Sequence, residues 1–344
     1  MPTPRPDVIA LDVGGANIKL ADGHGWTHAE PFPLWRERAS LVETLTRLLV
    51  PLAPRRVVAT MTGEIADCYA SRADGVADIT AAVTAAAAHA GSPFPIGIYT
   101  VAGRIVPADA VLADPAAAAA ANWHAVARLA AGLVPHGPGL LVDVGSTTTD
   151  IVPLLDGRVT PLSTTDAGRL LSGELVYTGV ERTPLAALLR RLPYAGRLRP
   201  VVAERFADSR DAWVVLGELA EDPDSTDTAD GRPVTRDAAR RRLARALLLD
   251  GEDVSATDAL AMAEDVAAAQ TSLVARAIRR VVRGCGLAPR VAVVSGHGPA
   301  LALRGLARAG FLPRIECLHE RLGMSVARCA PAHALAILAR EPSA

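Results

Sequence analysis

The sequence predicts an α/β protein of two lobes laid out on one plan, and three observations lead there. Strand-like and helix-like stretches alternate along the chain, a strand–glycine turn–strand motif occurs twice, and 344 residues exceed the size at which one core usually stops growing. Val8-Ile-Ala-Leu-Asp-Val reads as a buried strand entering Gly14-Gly15, and Ile18-Lys-Leu-Ala as its hairpin partner before the Asp22-Gly23 turn. Leu41 to Val50 has helical periodicity and stops at Pro51. Arg56 to Met61 is a strand leading into Thr62-Gly63-Glu64, residues 75–91 form an Ala-rich helix, and Ile96 to Val101 is a further strand. Beyond the Ala-rich stretch 115–121 and Asn122-Trp123, a helix runs to about Leu133, stopped by Pro135 and Gly137.

Gly139-Leu-Leu-Val-Asp-Val-Gly brings the opening motif back, with Asp143 following Asp12 by 131 residues (143 − 12 = 131). Residues 180–260 are less regular: Pro184, Pro193 and Pro200 punctuate short helices, and the acidic stretch from Glu221 to Gly231 reads as a solvated loop. A long helix from Asp258 to Arg283 precedes a strand, Arg290 to Ser295, which enters Gly296-His297-Gly298 and a helix from about Ala300. The chain closes in a helix over 331–340. The expected division is a first lobe of residues 1–121 plus 326–344, carrying the first glycine loop. The second lobe, 122–325, carries the second loop, a helical insertion at about 180–260 and the late glycine loop.

Composition narrows the function. With 36 basic and 37 acidic residues the net charge is −1, so no general field attracts nucleic acid or an anionic membrane. Aromatic residues make up only 3%, which argues against a platform for stacking bases. No apolar run approaches the roughly 18 to 20 residues that cross a bilayer, and the start of the chain lacks a basic segment followed by an apolar one. The expectation is a cytoplasmic protein acting on small molecules, with a homo-oligomer left open. Cys68, Cys285, Cys317 and Cys329 are widely spaced and expected to be free thiols.

Rare residues point to the chemistry. Lys19 is the only lysine, Asn17 and Asn122 the only asparagines, and Gln270 the only glutamine. Lys19 and Asn17 both fall in the first hairpin, where arginine is no substitute for a compact ammonium reaching a phosphate through a tight turn. A glycine turn between strands turns backbone N–H groups towards one point and lets an anion approach closely. The expected phosphate-binding set is therefore Gly14, Gly15, Ala16, Asn17 and Lys19 in the first loop, and Gly145, Ser146, Thr147 and Thr148 in the second. Gly296 and Gly298, between a strand and a helix N-terminus, join them as a third anion site. Asp12 and Asp143 close the preceding strands, where a carboxylate fits an anion site only if a cation lies between; both are expected to hold magnesium or another divalent ion.

These three loops in this order resemble the actin, hexokinase and heat-shock ATPase superfamily, which implies two ribonuclease-H-like lobes around a central cleft. Within it the sequence is similar to the hydantoinase/oxoprolinase branch. A narrower resemblance rests on Leu11-Asp-Val-Gly-Gly-Ala-Asn-Ile-Lys, Thr60-Met-Thr-Gly-Glu-Ile-Ala-Asp, Asn122-Trp, Val142-Asp-Val-Gly-Ser-Thr-Thr-Thr-Asp-Ile, Ser172-Gly-Glu-Leu-Val-Tyr-Thr-Gly-Val, Arg182-Thr-Pro and Thr228-Ala-Asp-Gly-Arg. These resemble the family linked to tetrahydromethanopterin-dependent one-carbon transfer. Its archaeal members join an aminomethylfuran-methyl diphosphate to the phenol of γ-glutamyltyramine in methanofuran synthesis, and bacterial relatives are associated with methylofuran.

The resemblance implies an ether-forming transferase whose partners are a diphosphate and a phenolic amine. Lys19 and the metal would assist departure of diphosphate, and Asp150 or Glu174 would take the phenol proton. Tyr177, Arg182 and Asn122 would line the acceptor pocket, with Arg36 as a second phosphate contact. ATP is the superfamily's usual ligand, but His297 between the late glycines departs from an adenosine-type loop. The alternatives are an ATP-dependent kinase or amidohydrolase of the same superfamily, and a non-catalytic nucleotide-sensing partner.

Overall fold

The computed structural model describes residues 5–341. Two compact units emerge among these: residues 5–137, 154–159 and 318–341 form one, and 138–153 with 160–317 the other. The first extends past the boundary expected at 122, because the helix Asn122–Ala131 packs on the first sheet. Ala121 and Ala125 share a buried cluster with Val8, Ala10, Val58 and Leu335.

The strands are β1 (Val8–Val13), β2 (Asn17–Ala21), β3 (Thr27–Pro31), β4 (Arg56–Met61), β5 (Gly97–Tyr99), β6 (Ile105–Pro107) and β7 (Pro138–Val144). They continue with β8 (Thr149–Leu155), β9 (Arg158–Val159), β10 (Leu175–Val176), β11 (Arg191–Tyr194), β12 (Arg197–Pro200), β13 (Val291–Gly296) and β14 (Arg314–Cys317). In the first unit the order is β3-β2-β1-β4-β5-β6. β1 pairs antiparallel with β2 and parallel with β4, and β5 continues parallel to β4. All six residues of β1 are buried, as expected of a central strand covered on both faces. Helices Leu41–Leu49 and Arg72–His89 supply the cluster on one face, with Leu41, Leu45, Leu49, Val76, Ile79 and Val83 inside it. Each such aliphatic side chain contributes roughly 1.5–3 kcal/mol by leaving water.

The second unit repeats the plan as β10-β8-β7-β13-β14. β13 runs parallel to β7, and β14 parallel to β13. Helices Ala256–Cys285 and Pro299–Ala309 cover it, burying Val274, Ile278, Val281, Leu301 and Leu306 against Val142, Val144 and Val294. The stretch of about 180–260 has a core of its own, including Leu185, Leu192, Leu243, Val254 and Met262. It holds the β11–β12 hairpin, turning at Ala195 and Gly196, where the prolines had suggested short helices. Arg242, 1% exposed, binds Asp211 at 2.7 Å and Asp230 at 3.0 Å beside this core. No described helix is long and apolar enough to cross a membrane, and the four cysteines are free.

Candidate active site

The two repeated hairpins close in the same way. Gly14 N–H donates to Asn17 O at 3.0 Å in the first, and Gly145 N–H to Thr148 O at 2.9 Å in the second. The 131-residue offset therefore holds atom for atom around the turn. In the first loop the carbonyls of Gly15 and Ala16 accept from Leu34 and Phe32. The amides of Gly15 and Ala16 donate to no other described backbone atom, and neither do those of Ser146 and Thr147. Each turn thus presents a pair of uncommitted N–H donors, the arrangement an anion needs. A Cβ on Gly15 would meet nothing within 4 Å, whereas one on Gly14 would stand 3.0 Å from Asn17 O.

In the first unit, Asp12 is 4% exposed and lies opposite Lys19 in the β1–β2 register. Burial pushes its carboxyl above the ordinary range, while the Lys19 charge and a hydrogen bond from Asn122 oppose that rise. Its Oδ1 has no hydrogen-bond partner among the described residues. Thr60, registered beside Asp12 on β4, is fully buried with Oγ1 likewise unpartnered. Two buried oxygens without donors suit a hard cation such as magnesium. Asn122, expected to line an acceptor pocket, serves Asp12 instead. Arg36 lies over the half-exposed Trp35 ring at 4.3 Å, and Trp123 is buried against His124.

The second unit repeats this register: Asp143 stands beside Ser295 and Val144 beside Gly296, as Asp12 stands beside Thr60 and Val13 beside Met61. Ser295 is 2% exposed and its Oγ also lacks a partner. The correspondence continues into the next turn. Thr62 N–H donates to Val13 O at 3.0 Å, and His297 N–H to Val144 O at 2.7 Å. Hence Thr62-Gly63 is the first unit's counterpart of His297-Gly298, although only the second was singled out as a loop. Gly298 is required sterically, since a Cβ there would reach Val144 and Val180 side chains at 2.6 and 2.5 Å.

The two carboxylates expected as proton acceptors are committed elsewhere. Glu174 is fully buried; its oxygens accept from Leu162 N–H at 2.8 Å, Ser163 N–H at 2.9 Å and Ser172 Oγ at 2.7 Å. It fastens the segment after β9 to the turn before β10, and is not presented to a substrate. Asp150 pairs at 2.8 Å with Arg169, itself 1% exposed, and burial nonetheless raises its carboxyl. Tyr177 is 63% exposed, and Arg182 lies 3.9 Å from Asp227 Oδ2.

Sequence reasoning quoted most of the segment 178–183 within motifs but missed that it straps the second loop. Val180 N–H donates to Gly145 O at 3.1 Å, and Glu181 and Arg182 N–H both donate to Ser146 O at 3.0 Å. The approach is so close that a Cβ on Gly179 would come within 2.5 Å of the Gly145 and Ser146 backbone. Gln270 holds the strap from behind: Nε2 donates to Thr178 Oγ1 and Gly179 O at 2.8 and 2.7 Å, and Oε1 accepts from Trp213 Nε1 at 2.7 Å. All of Gln270 is buried. Replacing it with alanine removes three bonds and strands their partners, each worth about 1–3 kcal/mol. Gln270→Ala is expected to cost roughly 3 kcal/mol, read as a lower urea midpoint at unchanged m; a midpoint matching the wild type would remove Gln270 from this role.

On the strap, Glu181 Oε2 lies 2.6 Å from Arg210, and Oε1 lies 3.5 Å from His297 Nδ1. Burial alone would raise the Glu181 carboxyl, but His297 and Arg210 together bring it down to about 2. Arg210 in turn donates to Asp227 O at 2.9 Å, so part of the acidic loop is bonded into the unit.

A sequence profile of the hydantoinase/oxoprolinase family matches residues 55–339. A protein of Methanocaldococcus jannaschii named (4-{4-[2-(gamma-L-glutamylamino)ethyl]phenoxymethyl}furan-2-yl)methanamine synthase is 28% identical over 337 residues, covering 97% of this chain and 98% of its own. A protein of the same name from Methanococcus vannielii is 31% identical over 205 residues, 59% of this chain and 90% of that one. Among solved structures, the nucleotide-free acetone carboxylase of ATP-dependent acetone carboxylation superposes with a TM-score of 0.50 at 13% identity, covering 90% of this chain. The chain spans half the length of that carboxylase chain, and the likeness carries the fold alone, of the actin, hexokinase and heat-shock ATPase kind.

Proposed function

Because this chain belongs to the hydantoinase/oxoprolinase family, we propose that it is a transferase joining a (5-aminomethylfuran-3-yl)methyl diphosphate to the phenol of a glutamyltyramine, with release of diphosphate. The observation that carries this reading is end-to-end similarity to a relative whose name specifies a phenoxymethylfuran, the aryl ether such a reaction makes. The reaction belongs to methanofuran or methylofuran synthesis and takes place in the cytoplasm.

The chemistry asks for little covalent work. The furan ring stabilises positive charge on its exocyclic carbon as the carbon–oxygen bond to diphosphate lengthens, so the main demand is to receive negative charge on the leaving group. The free amides of Gly15 and Ala16, the ammonium of Lys19, and the amides and hydroxyls of Ser146, Thr147 and Thr148 are proposed to bind phosphoryl oxygens. Asp12 with Thr60, and Asp143 on β7, would hold magnesium, which neutralises phosphate charge when bound.

The test is direct. Purified protein with magnesium, (5-aminomethylfuran-3-yl)methyl diphosphate and γ-glutamyltyramine is expected to release diphosphate in step with an ether product identified by mass. Release of ADP from ATP with candidate acceptors, and none of diphosphate from the furan substrate, would replace this reading with an ATP-dependent one.

A further inference from the structure

We infer that His297 is the catalytic residue that takes the phenolic proton, with Glu181 as the positioning residue that orients its imidazole; this rests on the ether-forming reaction proposed above.

The backbone fixes His297 on both sides. Gly296 sits at φ +85°, and a Cβ there would fall 2.2 Å from Val144 O; Gly298 is as tightly enclosed, and the His297 amide is bonded to the same Val144 O. Its side chain, 18% exposed, directs Nδ1 to a Glu181 oxygen 3.5 Å away. Glu181 cannot swing freely, because Arg210 holds its other oxygen at 2.6 Å and its own amide is bonded to Ser146 O. A proton on Nδ1, facing the carboxylate, leaves the Nε2 lone pair as the acceptor. A carboxylate fixing a histidine tautomer in this way is a recurring arrangement for general-base catalysis.

Location supports the assignment. Val144, Gly145 and Ser146 supply the carbonyls that bind His297 and the strap, and Ser146 and Thr147 present the uncommitted amides. The base is thus anchored to the same short stretch of chain that carries donors for the leaving group. The first unit's equivalent backbone slot is filled by Thr62, which cannot act as a base near neutral pH. Glu174 is bound by two backbone amides and Ser172, and Asp150 by the buried Arg169.

A phenol oxygen lone pair forms the bond to the exocyclic carbon, the bond from that carbon to diphosphate breaks with its electron pair leaving on diphosphate, and the phenolic proton passes to His297 Nε2 and then to water.

The test compares wild type, His297→Gln and Glu181→Gln in diphosphate release, using γ-glutamyltyramine and an ortho-nitro analogue whose phenol is already ionised at the assay pH. With the ordinary phenol, His297→Gln is expected to lower kcat about 100-fold and Glu181→Gln about 10-fold, with KM for the furan diphosphate changed less than about 2-fold. The ionised phenol should bring both variants to within about 3-fold of wild type, because it has no proton to give up. Full activity of His297→Gln with the ordinary phenol overturns the assignment. So does an equal loss with both phenols in a variant whose melting curve matches the wild type. Silence of the wild type itself overturns the proposed reaction, and this assignment with it.

Discussion

Lys19→Ala is expected to lower kcat on the order of 10³-fold while the melting temperature moves by only a few degrees. Lys19 is partly exposed on β2, opposite Asp12, and it is the only lysine in the chain. Removing one preorganised donor to a developing oxyanion commonly costs about 10²–10³-fold, and an ammonium stands at the upper end of that range. Lys19→Arg should recover little, because a planar guanidinium does not replace a compact point charge beside a tight hairpin turn. Steady-state kinetics of both variants on the furan diphosphate check this, beside a thermal melt. Wild-type turnover in Lys19→Ala would remove the first loop from the reaction.

Gly296→Ala is expected to have the largest effect on stability of any single methyl added to the glycine loops. At φ +85° a side chain is strained, and the new Cβ would stand 2.2 Å from Val144 O and 2.7 Å from Asp143 Oδ1. Left-handed backbone costs roughly 1–2 kcal/mol for a residue with Cβ, and overpacking against fixed backbone typically adds 1–3 kcal/mol. A loss of about 3–5 kcal/mol should therefore appear in urea denaturation. Gly15→Ala is the matching control: it has open space and ordinary φ, so its stability should stay near wild type. If the two variants unfold at the same denaturant concentration, the packing described around Val144 is wrong.

Much of the fold was legible because its decisive features are local. Each hairpin is closed by a glycine turn a few residues long, the strands are continuous aliphatic runs, and the long helix Ala256–Cys285 begins at a Ser255–Asp258 capping box and ends at Gly286 in the left-handed conformation. Elements whose logic is not local were harder. The β11–β12 hairpin contains Pro193 and Pro200, which in a sequence read as breakers but are tolerated in a two-stranded ribbon. The boundary at Gly137 rather than 122 depends on which sheet the alanines of the helix Asn122–Ala131 fit, and alanine periodicity does not name a partner.

The site divides along the same line. The loops were readable from their glycines, yet the role of Thr62-Gly63 as the counterpart of His297-Gly298 emerges only from strand register. Glu181, Arg210 and His297 meet from three separate stretches of chain, and no spacing rule connects them. One signal was available: the lone glutamine, Gln270, marks the back of the strap as the lone lysine marks the front of the first loop. Glu174 shows the opposite failure, since a carboxylate inside a conspicuous motif is spent on two backbone amides and a serine.

The repeated hairpins have one further consequence. Counting the same interval from each aspartate, Lys19 and Asp150 occupy the same place in the two copies, one an ammonium and the other a carboxylate neutralised by Arg169. Duplicated main chain thus yields two cradles of unlike electrical character. Amides alone welcome any anion weakly; the copy with the added positive charge should hold the more highly charged group, and its twin a group that asks mostly for hydrogen bonds. A single exchanged side chain, with no change in fold, is enough to make the two halves of the molecule unequal.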